Sequence, residues 1–402
     1  MPRSWMAVAL LAAAGCQPAQ PTTDELTETV ASTLFIDAAE PSADRGRELI
    51  ARYECARCHH LPEAPVLPMM KRCVGCHESI GRGSFREASD AVIAEWQERM
   101  HSLPTAPSLQ ASAPLLSARW VASFLQAPHD LRPALEATMP RLPIGEGEAR
   151  DIAASLMASD GDLEELVPAP SLATRGGELF EDKQCGSCHA FSGSGLAPRA
   201  RDGSARGVIL APDLRFTRDR VRPERLAAWM RAPRRTSAMP HFDLTVAEAQ
   251  ALASYLLHTP LEPAAPVEVP ARLPLLERPV RYAEVEERVF RKICWHCHAQ
   301  PDLARGDGGP GMSGGMGFPA RHLDLSTYES INSGYLDEHG ELTSLFARTE
   351  DGTPRLVAVL LARQQEVAGK HGSRRGMPLG FPPLSPEDIQ LTESWVAQGR
   401  PR

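Results

Sequence analysis

The chain has 402 residues, enough for two or three domains, and its 23% charged and 43% hydrophobic residues are ordinary for globular protein. Its formal net charge at pH 7 is -8. This acidic balance argues against a nucleic-acid-binding protein, which needs a basic surface to neutralise phosphates.

The first residues of the chain predict an export signal. Arg3 precedes an apolar stretch, 6–14, of signal-peptide length. No other stretch of the sequence is long and apolar enough to cross a bilayer. We therefore expect a signal peptide at 1–16 and a polar tether at 17–44.

Residues 11–16 read LAAAGC and resemble a bacterial lipobox, in which the cysteine becomes lipidated. Ala13 stands where that family usually has Leu, so ordinary cleavage near the same place stays open. The resemblance implies an exported bacterial protein of the periplasm or cell envelope. Lipid on Cys16 is expected to anchor it to a membrane.

The other eight cysteines all fall in one pattern, C-x-x-C-H, which occurs four times. The cysteines are Cys55, Cys58, Cys73, Cys76, Cys185, Cys188, Cys294 and Cys297, and the histidines that follow are His59, His77, His189 and His298. This pattern is the attachment signature of c-type haem. On a helical turn its three positions share one face, so both sulfurs reach the vinyl groups of one porphyrin while the His becomes the proximal iron ligand. The sequence predicts four covalent haems c with their iron.

Cysteines at these spacings have three other interpretations. The interval from Cys58 to Cys73 is similar to that of a zinc ribbon, and an exported protein with an even number of cysteines can form disulfides. Neither gives a role to the His that follows every pair. A thioredoxin-like pair needs a strand-helix-strand setting, whereas the surrounding patterns are helical and rich in proline.

Three Met-Pro pairs follow the haem motifs and provide candidates for the distal iron ligand. Their methionines are Met139, Met239 and Met377, and each precedes a predicted amphipathic helix. The helices after the first two repeat at the same offsets, which indicates an internal repeat. Thr245 with Glu248 predicts a capping box, and Ser385 followed by Pro predicts a helix start.

The repeat extends upstream of these methionines. Residues 121–128 align with 226–233 as a short helix ended by proline, and Ala-Pro at 106–107 aligns with Ala-Pro at 211–212. A predicted helix also precedes the C-x-x-C-H motifs that begin at Cys55, Cys185 and Cys294.

This order of elements resembles the class I cytochrome c family, in three copies over about residues 45–402. The resemblance implies an all-α fold of three consecutive cytochrome c-like domains and an electron-transfer function without catalysis. It pairs the proximal and distal ligands as His59 with Met139, His189 with Met239, and His298 with Met377. It also assigns the carbonyl of Pro212 to orienting His189. Two departures are the second haem motif of the first unit and a Gly-rich stretch, 306–317, in the third.

Composition sets the domain boundaries. We expect a dihaem domain at 45–158 and monohaem domains at 173–258 and 282–402. The segment 160–172 is acidic and contains Pro168 and Pro170, and the segment 259–279 is strongly rich in proline. Both predict semi-rigid linkers.

The second haem of the first unit has no Met-Pro pair of its own. Residues 91–96 predict a helix that ends near His101, which we assign as its distal ligand. Met69, Met70 and Met100 are the alternatives that the sequence leaves open.

Two classes of function fit four haems. An electron carrier has every iron six-coordinate, whereas a haem enzyme, such as a peroxidase or a small-oxyanion reductase, keeps one open iron position. The three methionines favour the carrier. A cytochrome subunit of a larger redox complex differs only in its partner proteins, which the sequence does not identify.

Overall fold

The computed structural model confirms the predicted helical character, because its described residues are mostly helical. It describes residues 40–61, 67, 72–86, 88–99, 106–109, 114–129, 131–133, 135, 139–157, 164–196, 206–233, 237–298, 322–337 and 339–402. Several sequence predictions lie outside these residues. They are the signal peptide with Cys16, nearly all of the tether, His101 with the competing Met69, Met70 and Met100, and the Gly-rich stretch.

The described α-helices, in chain order, are α1 (Ala43–Arg52), α2 (Cys73–Gly81), α3 (Asp90–Arg99), α4 (Ala118–Gln126), α5 (Glu146–Met157), α6 (Ala173–Asp182), α7 (Arg206–Leu210), α8 (Thr217–Arg220), α9 (Pro223–Arg231), α10 (Val246–His258), α11 (Tyr282–Val285), α12 (Trp295–His298), α13 (Tyr328–Ser333), α14 (Arg355–Val367) and α15 (Pro386–Ala397). Short 3₁₀ helices span Cys55–Arg57, Pro170–Leu172, Cys185–Ser187 and Leu214–Phe216. A π-helix, Glu286–Cys294, joins α11 to α12. Strands β1 (Tyr335–Leu336) and β2 (Leu342–Thr343) pair antiparallel, with Tyr335 opposite Thr343.

The chain divides into two units, Met1–Glu40 and Pro41–Arg402, and the second contains all of these elements. Within the described residues, no helix is long and apolar enough to cross a membrane.

Two helix pairs, α1 with α5 and α6 with α10, cross at glycines. Gly46 lies against the backbone carbonyl of Asp151, and Gly176 lies against that of Ala251, so closely that neither position has room for a Cβ atom. Each pair contributes to a buried apolar core. In the first repeat α4 packs against α5, and in the second α9 packs against α10. The predicted repeat thus reappears as the same helix crossing.

The first two repeats contact each other through residues that the sequence alignment makes equivalent. Leu116 and Val221 form an antiparallel bridge. On one side Ser117 N donates to Arg220 O at 2.8 Å. On the other, Arg222 N donates to Leu115 O, also at 2.8 Å. The two repeats are therefore related locally by an approximate twofold axis.

The third repeat keeps the pairing of opening and closing helices but changes its details. Its opening helix passes into the π-helix, and α15 packs against both. Trp395 on α15 is fully buried, with its ring centroid 6.2 Å from that of Phe290 and 5.9 Å from that of Tyr282. Aromatic rings therefore fill the space between these helices. Neither helix has a glycine at the contact, unlike α1 with Gly46.

The first predicted linker is partly a packed segment. Leu166 is buried in the core of the second repeat, and its N donates to Glu224 O at 2.8 Å. Ala169 N donates to Ser254 Oγ at 3.0 Å. The described part of this linker therefore lies along the domain that follows it and does not act as a free spacer.

The end of the second predicted linker is also packed. Arg272 Nε donates to Glu393 Oε2 at 2.9 Å, and Leu276 N donates to Ser394 Oγ at 2.9 Å. Both partners lie on α15, so the segment 272–276 lies along this helix. Proline suits such a segment, because it has no backbone N–H that would need a hydrogen-bond partner.

The predicted helix starts are confirmed. Glu248 N donates to Thr245 Oγ1 at 3.2 Å and Thr245 N donates to Glu248 Oε2 at 2.9 Å, which is a capping box. Ser385 Oγ accepts from Asp388 N at 3.1 Å at the start of α15.

Candidate functional site

Two of the four C-x-x-C-H motifs begin in the same unusual backbone conformation. Glu54 and Gln184, which precede Cys55 and Cys185, have φ values of 49° and 56° in the left-handed region. Each motif then turns through a 3₁₀ helix. Residues other than glycine avoid this region, so its appearance twice marks a backbone shape held in place by the surrounding fold.

The histidines that end these two motifs are oriented by backbone carbonyls. His59 Nδ1 lies 2.9 Å from Pro107 O, and His189 Nδ1 lies 2.9 Å from Pro212 O. Because a carbonyl oxygen only accepts, Nδ1 carries a proton in each ring, and in the neutral form of the ring Nε2 keeps its lone pair. Burial lowers the pKa of His59 and so favours this neutral ring. A neutral imidazole with Nε2 available is the form that binds a metal.

In the third repeat the motif histidine also has a backbone partner, which here is not a proline. Burial lowers the pKa of His298 to about 4, and a hydrogen bond with the backbone of Leu323 opposes part of this shift. The segment after Leu323 is held in place because Leu325 N donates to His298 O at 2.6 Å and Trp295 Nε1 donates to Leu325 O at 2.8 Å. The sequence contains a weak signal for this site, since Asp-Leu follows both Pro212 and Leu323.

Each predicted methionine lies beside the core that also contacts the first cysteine of its motif. These pairs are Cys55 with Met139, Cys185 with Met239, and Cys294 with Met377. All six side chains are partly buried at the edge of their cores. The structure therefore brings the predicted attachment and ligand residues of each repeat to one apolar cluster.

The motif at Cys73 to His77 has a different setting, since it lies on the regular helix α2. Cys76 is buried in a small separate core, where the ring centroids of Phe85 and Trp96 are 5.8 Å apart. Helix α3 provides Trp96, as the apolar pattern predicted. Among the described residues of this core there is no methionine. The predicted ligand His101 lies outside the described residues.

The first cysteine of three motifs is a poor nucleophile as a free thiol. Burial raises the pKa of Cys55 to about 11, that of Cys185 to about 11 and that of Cys294 to about 12. Thiols in such apolar surroundings are inert. A thioether to a porphyrin carries no charge, so these sites fit a covalently attached haem.

Two cysteines of different motifs are in contact in the first repeat. Cys58 donates a hydrogen bond to Cys73, which raises the pKa of Cys58 and lowers that of Cys73. Among the described residues no group of three or more His, Cys, Asp and Glu side chains is arranged to hold a metal.

Comparison with known proteins agrees with this geometry for one part of the chain. Residues 173–260 match the family model described as Cytochrome c, and they include Cys185, Cys188, His189 and Met239. The match identifies this segment as a c-type cytochrome domain, with a covalent haem, its iron and an electron-transfer role. No curated protein and no solved structure gives a significant match to the chain.

Proposed function

We propose that the chain is a tetrahaem c-type cytochrome that carries electrons between redox partner proteins at the periplasmic side of a membrane. Lipid on Cys16 would anchor it there. One observation carries the proposal. In each of three repeats, the first cysteine of the C-x-x-C-H motif and a methionine contact the same apolar core, and the histidine of the motif is hydrogen-bonded to the backbone of Pro107, Pro212 or Leu323.

The chain's own residues would tune a one-electron iron couple that the haem supplies. The carbonyls of Pro107 and Pro212 fix the tautomers of His59 and His189 and would make Nε2 a stronger donor to iron. The backbone of Leu323 would act on His298 in the same way. Methionine sulfur favours reduced iron, so Met139, Met239 and Met377 would give high reduction potentials. The apolar cores exclude water around the ligands, which also favours the less charged reduced state.

The haem at Cys73 and Cys76 would differ from the other three. With His101 as its distal ligand it would have two imidazoles and the lowest reduction potential of the set. Its place in the first repeat suits an entry or exit point for electrons. Electron paramagnetic resonance of His101→Ala tests this ligand, because loss of a bis-histidine signal and a new high-spin signal are expected. An unchanged spectrum would reject His101.

A haem enzyme is the alternative, and the core around Cys76 is where it would act. That core has no methionine among its described residues, so an open iron is best sought there. Carbon monoxide added to the reduced parent protein decides between the two classes. A carrier with four six-coordinate irons binds almost none, whereas an enzyme binds one equivalent per chain.

Replacement of Met239 by Ala tests the ligand assignment in the domain with the family match. We expect the reduced variant to bind one more equivalent of carbon monoxide than the parent. Met230→Leu is the matched control, because Met230 is a buried core methionine of the same domain, 5% exposed. If Met239→Ala and Met230→Leu bind equal amounts, Met239 is not a ligand.

A further inference from the structure

Glu366 is a buried carboxylate near the end of α14, with a side chain only 3% exposed. Its Oε1 accepts from Gly376 N at 2.7 Å, and its Oε2 accepts from Arg363 Nη1 at 3.2 Å. A buried charge is costly unless it is paired and hydrogen-bonded, so Glu366 depends on these partners and they depend on it. Gly376 directly precedes the candidate ligand Met377.

The Met377 loop is held tightly on α14. Met377 N donates to Val359 O at 2.8 Å, and Arg363 Nε donates to Phe381 O at 2.8 Å on the far side of the loop. Gly376 lies so close to the Arg363 backbone that a Cβ atom has no room there. A shift of Glu366 would therefore be transmitted to Met377.

Glu366 also reaches the methionine loop of the first repeat. Arg141, two residues after Met139, has its Nη1 3.7 Å from Glu366 Oε1. The same Nη1 donates to Gly372 O at 3.1 Å, and Arg141 Nε donates to Gln126 O at 3.3 Å. Arg141 is thus fixed between the end of α4 and the segment that leads to Met377.

From these contacts we infer that Glu366 and Arg141 form a junction that positions two methionine ligands at once, Met139 in the first repeat and Met377 in the third. This inference rests on the proposed function, because it takes both methionines as iron ligands. Its consequence is that the two haems do not have independent reduction potentials. A change in the Met139 loop moves Gly376 through Glu366 and alters the bond from Met377 to iron.

The test is a potentiometric titration of Arg141→Gln with the four haems attached. Met377→Ala is titrated first, and the high-potential wave that it removes is assigned to the Met377 haem. If Met377→Ala removes no wave, the ligand assignment in the proposed function fails. With the wave assigned, the junction can be tested separately.

We expect Arg141→Gln to shift the Met377 haem although Arg141 lies in the other loop. At the parent's midpoint, the ratio of oxidised to reduced Met377 haem should change at least threefold, or about 28 mV at 59 mV per tenfold change. Glu366→Gln should shift the same wave, and the double variant should be non-additive. The Met239 haem is the internal reference.

Arg272→Gln is the matched control, since it removes an Arg–Glu pair of the same repeat that has its carboxylate, Glu393, on α15 and not on α14. It should leave the Met377 wave in place. The junction is rejected if Arg141→Gln shifts only the Met139 haem, if it shifts the Met239 haem equally, or if it shifts no wave more than the control does.

Discussion

Gly46 and Asp151 touch backbone to backbone where α1 crosses α5, and the crossing leaves no space for a side chain on Gly46. Gly176 meets Ala251 in the same way in the second repeat. Both glycines lie in the helices that lead into C-x-x-C-H motifs, so the crossing sets where each motif leaves its helix pair.

Gly46→Ala should therefore destabilise the protein by about 2 kcal/mol, because a methyl group in a filled crossing forces the helices apart. Chemical denaturation of the haem-loaded protein measures this. Gly147→Ala on α5 is the control, since a Cβ atom there meets nothing within 4 Å. It should be neutral or stabilise by up to about 1 kcal/mol. Equal unfolding midpoints for the two variants would contradict this interpretation of the crossing.

The carboxylate of Asp213 fixes the loop that orients His189. It accepts from Ser192 N at 3.1 Å and from Arg215 N at 3.0 Å, next to the carbonyl of Pro212. Asp213→Ala should lower the free energy of unfolding by about 2 kcal/mol, as expected for charged hydrogen bonds. It should also raise the reduction potential of the His189 haem, because a looser carbonyl makes the imidazole a weaker donor.

Asp219→Ala is the control for this prediction, since it removes an equal charge from an exposed position on α8. Redox titration of both variants separates the effect of position from that of charge. A shift of the same size in the two variants would mean that Asp213 acts only through its charge.

The repeat in the sequence predicts much of this fold, because a motif that recurs implies that its packing recurs. Aligning Ala-Pro at 106–107 with Ala-Pro at 211–212 leads directly to Pro107 as the acceptor for His59, although only Pro212 was assigned. The role of Leu323 is harder to predict, because any residue has a backbone carbonyl and only the Asp-Leu that follows Leu323 matches the sequence after Pro212. The sequence does not predict helix α14 or the role of Glu366, because the contact of Glu366 with Arg141 joins residues that are far apart in the chain.

Asp151 links stability to pH. The Arg45 side chain, whose Nε lies 2.8 Å from Asp151 Oδ2, holds the pKa of Asp151 below its usual value. A carboxylate with a depressed folded-state pKa contributes stability above its unfolded pKa of about 3.9. This contribution is lost as the pH falls through the lower folded pKa.

Asp151→Asn should therefore be less stable than the parent at pH 7, and the difference should shrink progressively below about pH 4. Thermal unfolding between pH 3 and 7 measures it. Asp44→Asn is the control, because it removes an ion pair with Arg47 that is largely exposed to solvent and so contributes little to stability. A constant difference between Asp151→Asn and the parent across this range would mean that the ion pair is not the cause.

The most direct test of the account is the intact mass of the protein isolated from a host that assembles c-type cytochromes. Four C-x-x-C-H motifs predict a mass increased by four covalent haems over the processed polypeptide. Replacing Cys73 and Cys76 by Ala should remove one haem and leave three. A parent protein with only the haem of residues 173–260, or with none, would contradict the tetrahaem assignment.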